Sequence, residues 1–243
     1  MPDGPRLVLR FQELTAVPEW VWERTDLEFL CVSDNKLTAI SEKIARLGKL
    51  KALDIAHNVI ASVPDALGEL PSLSDYLYLS DNRLTAFPEA VAKLANLRYL
   101  GLTDNRIAAL PETVAGLTSL VELRLYNDGM SSLPESLGAL THLRELHLAN
   151  NLLTSLPASV GGLSQLRILD LRNNHVAAVP ETIGGLQHLL YLDLRANALT
   201  ALPDSIGDLP NLQKLDLRWT PLSEMPPPDA LARLERRGCV VLR

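Results

Sequence analysis

A Leu-x-Leu pair recurs along this chain with a period of 23 residues. Its second members fall at Leu9, Val32, Ile55, Leu79, Leu102, Leu125, Leu148, Leu171, Leu194 and Leu217, and only the step from Ile55 to Leu79 is 24 residues long. A unit of this size cannot enclose its own leucines, so each copy has to bury them against its neighbours. The 243 residues therefore do not divide into one or two globular domains, as length alone would suggest. They read as ten coils of a single unit spanning 1–243. Within it, 1–26 forms an N-terminal capping repeat, 27–226 the central repeats, and 227–243 a C-terminal cap made of a helix and a short strand.

From Leu143 the unit reads Leu-x-x-Leu-x-Leu-x-x-Asn151-x-Leu-x-x-Leu-Pro157-x-x-Val-x-x-Leu. Leu146 and Leu148 have the period of two that puts both side chains on one face of a short strand. The spacings of three and four at Leu153, Leu156, Val160 and Leu163 suit a tight turn and a loose helical return. Stacked in register, the strands make a parallel sheet that advances roughly 4.8 Å per coil.

Two further columns support this frame. Asn35, Asn58, Asn82, Asn105, Asn151, Asn174 and Asn197 follow each strand, where a turning backbone leaves polar groups without sheet partners and a buried amide can both donate and accept. Gln12, Asp128 and Thr220 stand in as polar substitutes. Nine of the 16 prolines, from Pro18 to Pro226, sit after one apolar column, which Ser41 alone breaks; a fixed φ and a missing N–H suit the start of the return. Gly68, Gly138, Gly161, Gly184 and Gly207 form another column, expected where the backbone takes a recurrent conformation or where coils approach closely.

The unit resembles the leucine-rich repeat family over nearly the whole chain, in the proline-containing 23-residue class of intracellular Ras-associated and soluble bacterial proteins. That resemblance implies an α/β repeat solenoid: a right-handed arc with a concave parallel β-sheet and convex turns or short helices. It also implies a partner-binding role, commonly through the concave surface.

Both ends carry their own signals. Trp20 and Trp22 are expected to cover the first open leucine layer, with a partner anchor as the alternative role. At the other end Asp229 is expected to cap a helix that continues through Ala230 to Arg237 and stops at Gly238, before a closing strand around Cys239–Leu242. Two irregularities lie between them. One is the extra residue between Leu73 and Leu77; the other is Tyr126-Asn127-Asp128-Gly129, where Asp replaces the usual Asn and Gly129 permits an unusual φ.

Residues flanking the strand leucines face outward onto the concave sheet, and all five tyrosines fall there. Tyr76, Tyr78, Tyr99, Arg124 and Tyr126 lie on three adjacent strands, and tyrosine and arginine are common interface anchors. Further along, His147, Asp170 and Asp193 share a column, with Arg172 and Arg195 two residues beyond the aspartates. The Asp170, Asp193, Asp216 row and the Arg172, Arg195, Arg218 row can neutralise one another. The sheet, about 43 by 17 Å at ordinary strand dimensions, matches the roughly 800 Å² that one partner contributes to a standard interface.

Alternating charges and a net charge of −6 argue against a nucleic-acid partner. No segment approaches the ~20 apolar residues of a membrane span, and no membrane partner is expected. Phosphate-loop, nucleophile-elbow, metalloprotease and calcium-loop motifs are missing from the sequence, and the arginines beside His147, Asp170 and Asp193 oppose a metal there. No cofactor or metal is expected. The other histidines, His57, His142, His175 and His188, read as solvated loop residues. Cys31 and Cys239, far apart, point to a reducing compartment. The expectation is a monomeric, non-enzymatic, cytoplasmic module binding an unknown protein or peptide. The alternative is a recognition arm of an enzyme system, either a bacterial effector of the ubiquitin pathway, delivered into a host cell, or a small-GTPase regulator.

Overall fold

The computed structural model describes residues 4–225 and 228–243; Pro226, and with it the end of the proline column and the 226/227 cap boundary, lies outside the described residues. Eleven three-residue strands form one parallel sheet in sequence order. They are β1 (Arg6–Val8), β2 (Phe29–Cys31), β3 (Ala52–Asp54), β4 (Tyr76–Tyr78), β5 (Tyr99–Gly101), β6 (Glu122–Arg124), β7 (Glu145–His147), β8 (Ile168–Asp170), β9 (Tyr191–Asp193), β10 (Lys214–Asp216) and β11 (Val240–Leu242). Each is centred on the first member of a Leu-x-Leu pair, except the closing β11, which has Val241 there. The opposite side is made of short 3-10 turns, with a single α-turn, α1 (Glu89–Ala92), in the fourth coil. The solenoid expected from the repeat is the architecture found.

The 3-10 turns start where the prolines stand. In the coils of Pro64, Pro134 and Pro180 the proline is extended, with φ between −76° and −69°, and its carbonyl accepts the N–H three residues on. Ser41, which breaks the column, restores the function differently: its hydroxyl accepts a hydrogen bond from the Lys43 N–H, as an N-cap should. The glycine column has the expected cause. A Cβ on Gly138 would overlap the Ser159 carbonyl oxygen, and one on Gly161 that of Thr182, so consecutive turns stack backbone on backbone.

Inside, the strand leucines and the apolar columns of the turns form one continuous core from Leu9 to Cys239. The asparagine column holds its edge. Asn151 is typical: its Oδ1 accepts from the Asp128 and Met130 N–H groups, while its Nδ2 donates to the carbonyls of Leu125, Leu148 and Ala149. The residue just before this column takes a left-handed conformation in every coil, from Phe11 to Trp219. Asp or Asn occupies six of these ten positions (Asp34, Asp81, Asp104, Asn127, Asn150, Asn173), as their tolerance of that region favours.

The single insertion leaves the sheet undisturbed. Ser74 and Asp75 both donate to the Lys51 carbonyl, the extra residue bulges ahead of β4, and Ala52 still pairs with Tyr76. Gly129 has φ +75°, as its sequence context anticipates.

Two end assignments are corrected. Trp22 is buried, but Trp20 is 50% exposed and does not cover the leucine layer. Both stand in the 3-10 turn Glu19–Glu23, whose three residues per turn put positions two apart on different sides. At the C-terminus α2 (Asp229–Arg236) begins at Asp229 itself, with Pro228 in the capping position and no side-chain cap bond. Asp229 instead places its charge in the first turn, where the helix dipole favours it. The helix buries Ala230, Leu231 and Leu234 and ends at Arg236, and the chain turns out of it at Gly238, φ +89°. Arg233 ties it to Asp204, and Arg237 donates to the Gly207 and Leu209 carbonyls.

Candidate functional site

On the concave face the side chains sort into three regions. The first is aromatic and lies over β2 to β4. Phe29, Cys31 and Ala52 are buried there although they point away from the main core, because Tyr76 packs over them. Tyr76 meets Phe29 edge-on at 6.0 Å and stacks on Tyr78 at 4.6 Å with the rings 20° apart. Arg6 caps the Phe29 ring at 4.6 Å. Burial pushes the Tyr76 hydroxyl up to about 12 and raises that of Tyr78 as well, so both remain hydrogen-bond donors at neutral pH. Tyr78, 39% exposed, leans across β5: a Cβ on Gly101 would lie 3.2 Å from its ring. Gly101 is thus the clearance for the ring, a role the repeat pattern does not reveal.

The second region, over β5 to β7, is polar and internally bonded. Arg124 stands in register with Gly101 and is hydrogen-bonded to Glu122 on its own strand. Burial acts most strongly on Arg124 and lowers its pKa, but the Glu122 bond together with the Glu122 charge and the neighbouring tyrosines outweighs it, and the net shift is upward. Tyr99 sits half-buried with the Arg98 guanidinium 5.9 Å from its ring. Tyr126, just past β6, turns toward the C-terminal end, and its hydroxyl lies 2.6 Å from His147 Nδ1. His147 Nε2 is 3.1 Å from Glu145. An Nε2–H donated to the carboxylate leaves Nδ1 to accept from the tyrosine hydroxyl, so one chain of bonds fixes both rings. Burial pushes the Tyr126 hydroxyl up to about 12, which keeps that donor protonated.

Tyr126 thus packs on and bonds His147, while Tyr76 stacks on Tyr78, and Arg124 feels both Tyr78 and Tyr126. His147 also meets different acids from those in its column: donor atoms of Glu122, Glu145 and His147 come within 4.8 Å of one another. Those donors are already engaged, Glu122 by Arg124 and Glu145 by the imidazole. The set is organised by its own hydrogen bonds, and the arrangement needs no cation. Of the remaining histidines, His57 pairs with Asp81, while His142 and His188 bond the Thr118 and Ser164 carbonyls; all three, and His175, are exposed.

The third region, over β8 to β10, is the charge lattice. Asp193 receives three hydrogen bonds from the Arg195 side chain, at 2.6–3.0 Å. Asp216 receives two from Arg218, with Arg195 Nε a further 3.5 Å away. Burial works to raise the Asp216 carboxyl, but the Arg218 bonds and the Arg195 charge bring it below its usual value. The in-strand Asp–Arg neutralisation read from the sequence is formed here. Asp170 is the exception: Arg172 Nε stays 3.6 Å from its carboxylate, and burial pushes that carboxyl up. Tyr126, His147, Asp170, Tyr191 and Asp193 line a hollow of about 330 Å³ over this region.

Comparison with known proteins places this geometry. A sequence profile described as a leucine-rich repeat region matches residues 75–147 and 131–197, and one described as a leucine rich repeat matches 25–84 and 178–222. The ectodomain of the Arabidopsis thaliana membrane receptor kinase GASSHO1/SCHENGEN3, solved in complex with CASPARIAN STRIP INTEGRITY FACTOR 2, is 32% identical with a TM-score of 0.78, over 91% of this chain and 28% of that one. The functional domain of InlJ from Listeria monocytogenes is 20% identical with a TM-score of 0.79, over 98% and 52%. The plant peptide hormone receptor RGFR1, in complex with RGF2, is 22% identical with a TM-score of 0.76, over 88% and 36%. The chain thus spans between about a quarter and a half of the length of these structures.

Proposed function

The chain belongs to the leucine-rich repeat family, and from that premise we propose that it is a non-enzymatic module that binds a protein or peptide on its concave sheet. Leucine-rich repeat domains generally mediate protein–protein or peptide binding, and two of the similar plant receptors carry such ligands in their structures. The observation that carries the reading is the concave face itself. It collects all five tyrosines, and its side chains are held in place by stacking, by the Tyr126–His147–Glu145 chain and by the Asp–Arg pairs. A surface fixed before contact loses little side-chain entropy on binding. Folding alone gives no reason to hold Tyr78 partly exposed over a glycine.

The partner contacts assigned are Tyr76, Tyr78, Tyr99, Arg124 and Tyr126 on one side, and His147, Asp170, Arg172, Asp193 and Arg195 on the other. A cytoplasmic setting fits the two thiols: Cys31 on β2 and Cys239 beside β11 are about nine strand steps apart, roughly 43 Å, far beyond disulfide reach. The test is capture of a partner by cross-linking in the native cell, repeated with Tyr78→Ala/Tyr126→Ala. The double variant is expected to lose the partner while its melting temperature stays within a few degrees of the parent. Retention of the partner would move the site off the concave face.

A further inference from the structure

The three aspartates of the C-terminal column begin alike. Asp170, Asp193 and Asp216 each use Oδ1 to accept the backbone N–H of the arginine two residues on, at 3.2, 3.2 and 3.3 Å. They differ in what neutralises them. Asp193 and Asp216 have tightly bonded guanidinium groups, whereas Asp170, only 9% exposed, accepts no side-chain hydrogen bond among the described residues, the Arg172 Nε lying 3.6 Å from its Oδ2. A buried carboxylate without a bonded cation is costly, and the same Asp-x-Arg sequence that satisfies its two neighbours leaves this one open.

Asp170 lies on the floor of the 330 Å³ hollow. Tyr126 forms one wall, pinned by His147. Tyr191 forms another, with its hydroxyl donating to Gln213 at 3.1 Å. That volume is at the small end of ligand pockets, roughly 300–1,000 Å³, and suits one long side chain with its adjoining backbone. Lys214 and Arg172 also border it, but Lys214 is 3.9 Å from Asp216, and neither neutralises Asp170 by a hydrogen bond. An anion would face the open carboxylate. A cation would be paired by it, and a planar guanidinium can stack flat against tyrosine rings while its rigid fork presents two parallel N–H groups to the carboxylate, a geometry an ammonium lacks.

We infer that this hollow takes an arginine side chain from the protein or peptide partner, its guanidinium paired with Asp170 between Tyr126 and Tyr191. The assignment rests on the concave-face reading above and adds the chemistry of the partner to it.

The test is an NMR titration of the full chain with three capped peptides, Gly-Gly-Arg-Gly-Gly and its citrulline and lysine counterparts. The arginine peptide is expected to shift the backbone amides of the 126–193 stretch around the hollow saturably. Citrulline has nearly the same shape without the charge and should bind roughly tenfold more weakly or worse, the scale of one lost charged hydrogen-bonded pair. Asp170→Asn keeps the oxygen that accepts the Arg172 N–H. It should therefore keep or raise the melting temperature, since it also removes the costly buried charge, while losing the arginine response. Equal binding of the citrulline or lysine peptide, an undiminished response in Asp170→Asn, or no saturable shift in the hollow would each overturn the assignment. If Tyr78→Ala/Tyr126→Ala releases a captured partner yet the arginine peptide leaves the hollow untouched, the concave site stands and the arginine assignment alone falls.

Discussion

Replacing Asp128 by Asn should stabilise the protein, and by an amount that depends on pH. Elsewhere in the column the amide nitrogen donates to several carbonyls, most closely Leu102 and Leu79 for Asn105, at 2.7 and 3.1 Å, and Leu148 and Leu125 for Asn151, at 3.0 and 2.6 Å. Asp128 keeps the accepting half, its Oδ1 taking the Asn105 N–H at 3.0 Å. Its Oδ2 is buried without a partner among the described residues; the ladder register aims it at the Leu125 and Leu102 carbonyls, oxygen against oxygen. Only the protonated acid can donate there, and burial, with Asp104 the nearest like charge, raises the carboxyl from 3.8 to about 7. Below the unfolded value both states are protonated and the residue costs nothing. As pH rises through the folded value the unfolded chain ionises more easily than the folded one, and stability falls by on the order of 3–4 kcal/mol, most of it between about pH 4 and 7. The neutral amide has no such dependence. Denaturant unfolding of both proteins from pH 4 to 8 should therefore show Asp128→Asn ahead by several kcal/mol at pH 8, with the gap closing toward pH 4. A gap that stays constant with pH, or a less stable variant, would refute the ladder argument; Asp104→Asn in parallel measures the neighbouring charge.

Three substitutions check the stacking itself. Leu148→Ala opens a cavity in a side chain with no exposure and should cost roughly 2–5 kcal/mol in denaturant unfolding; a cost near zero would mean the strand leucines do not form the core. Gly138→Ala forces a Cβ into the Ser159 carbonyl and should lower the melting temperature, whereas Gly48→Ala, which meets nothing within 4 Å, should be neutral or raise it slightly through the unfolded chain. Equal behaviour of the two glycines would argue against the close backbone approach between turns.

What the sequence discloses best is whatever repeats. A column of leucines at fixed spacing names each strand to the residue, since Leu77, Leu100 and Leu123 can be buried together only if Tyr76, Tyr99 and Glu122 pair in register, as they do. The asparagines disclose their own bonds because the same turn needs the same amide in each coil. The left-handed position before them is fainter: Phe11, Ala196 and Trp219 adopt it alongside Asp and Asn, so residue type is a weak signal when tertiary packing fixes the backbone. The caps are fainter still. Trp20 and Trp22 each occur once, and nothing periodic says which of the two faces inward.

The concave face is hard to read for the opposite reason. Its strand positions are legible, but each side chain there is free of the repeat and chooses its partner by length and rotamer across neighbouring coils. Tyr126 reaches His147 on the next strand and not Tyr78; Arg195 serves both Asp193 and Asp216, while Arg172 with the same spacing leaves Asp170 open. A salt-bridge lattice that existed only for stability would be expected to close at every rung, because an unclosed rung at a buried aspartate costs more than it returns. The departure at Asp170 coincides with the hollow between Tyr126 and Tyr191. The proposed partner arginine would supply the group that this rung lacks, since among the described residues the coil that carries Asp170 is where the Asp–Arg lattice is least complete by itself.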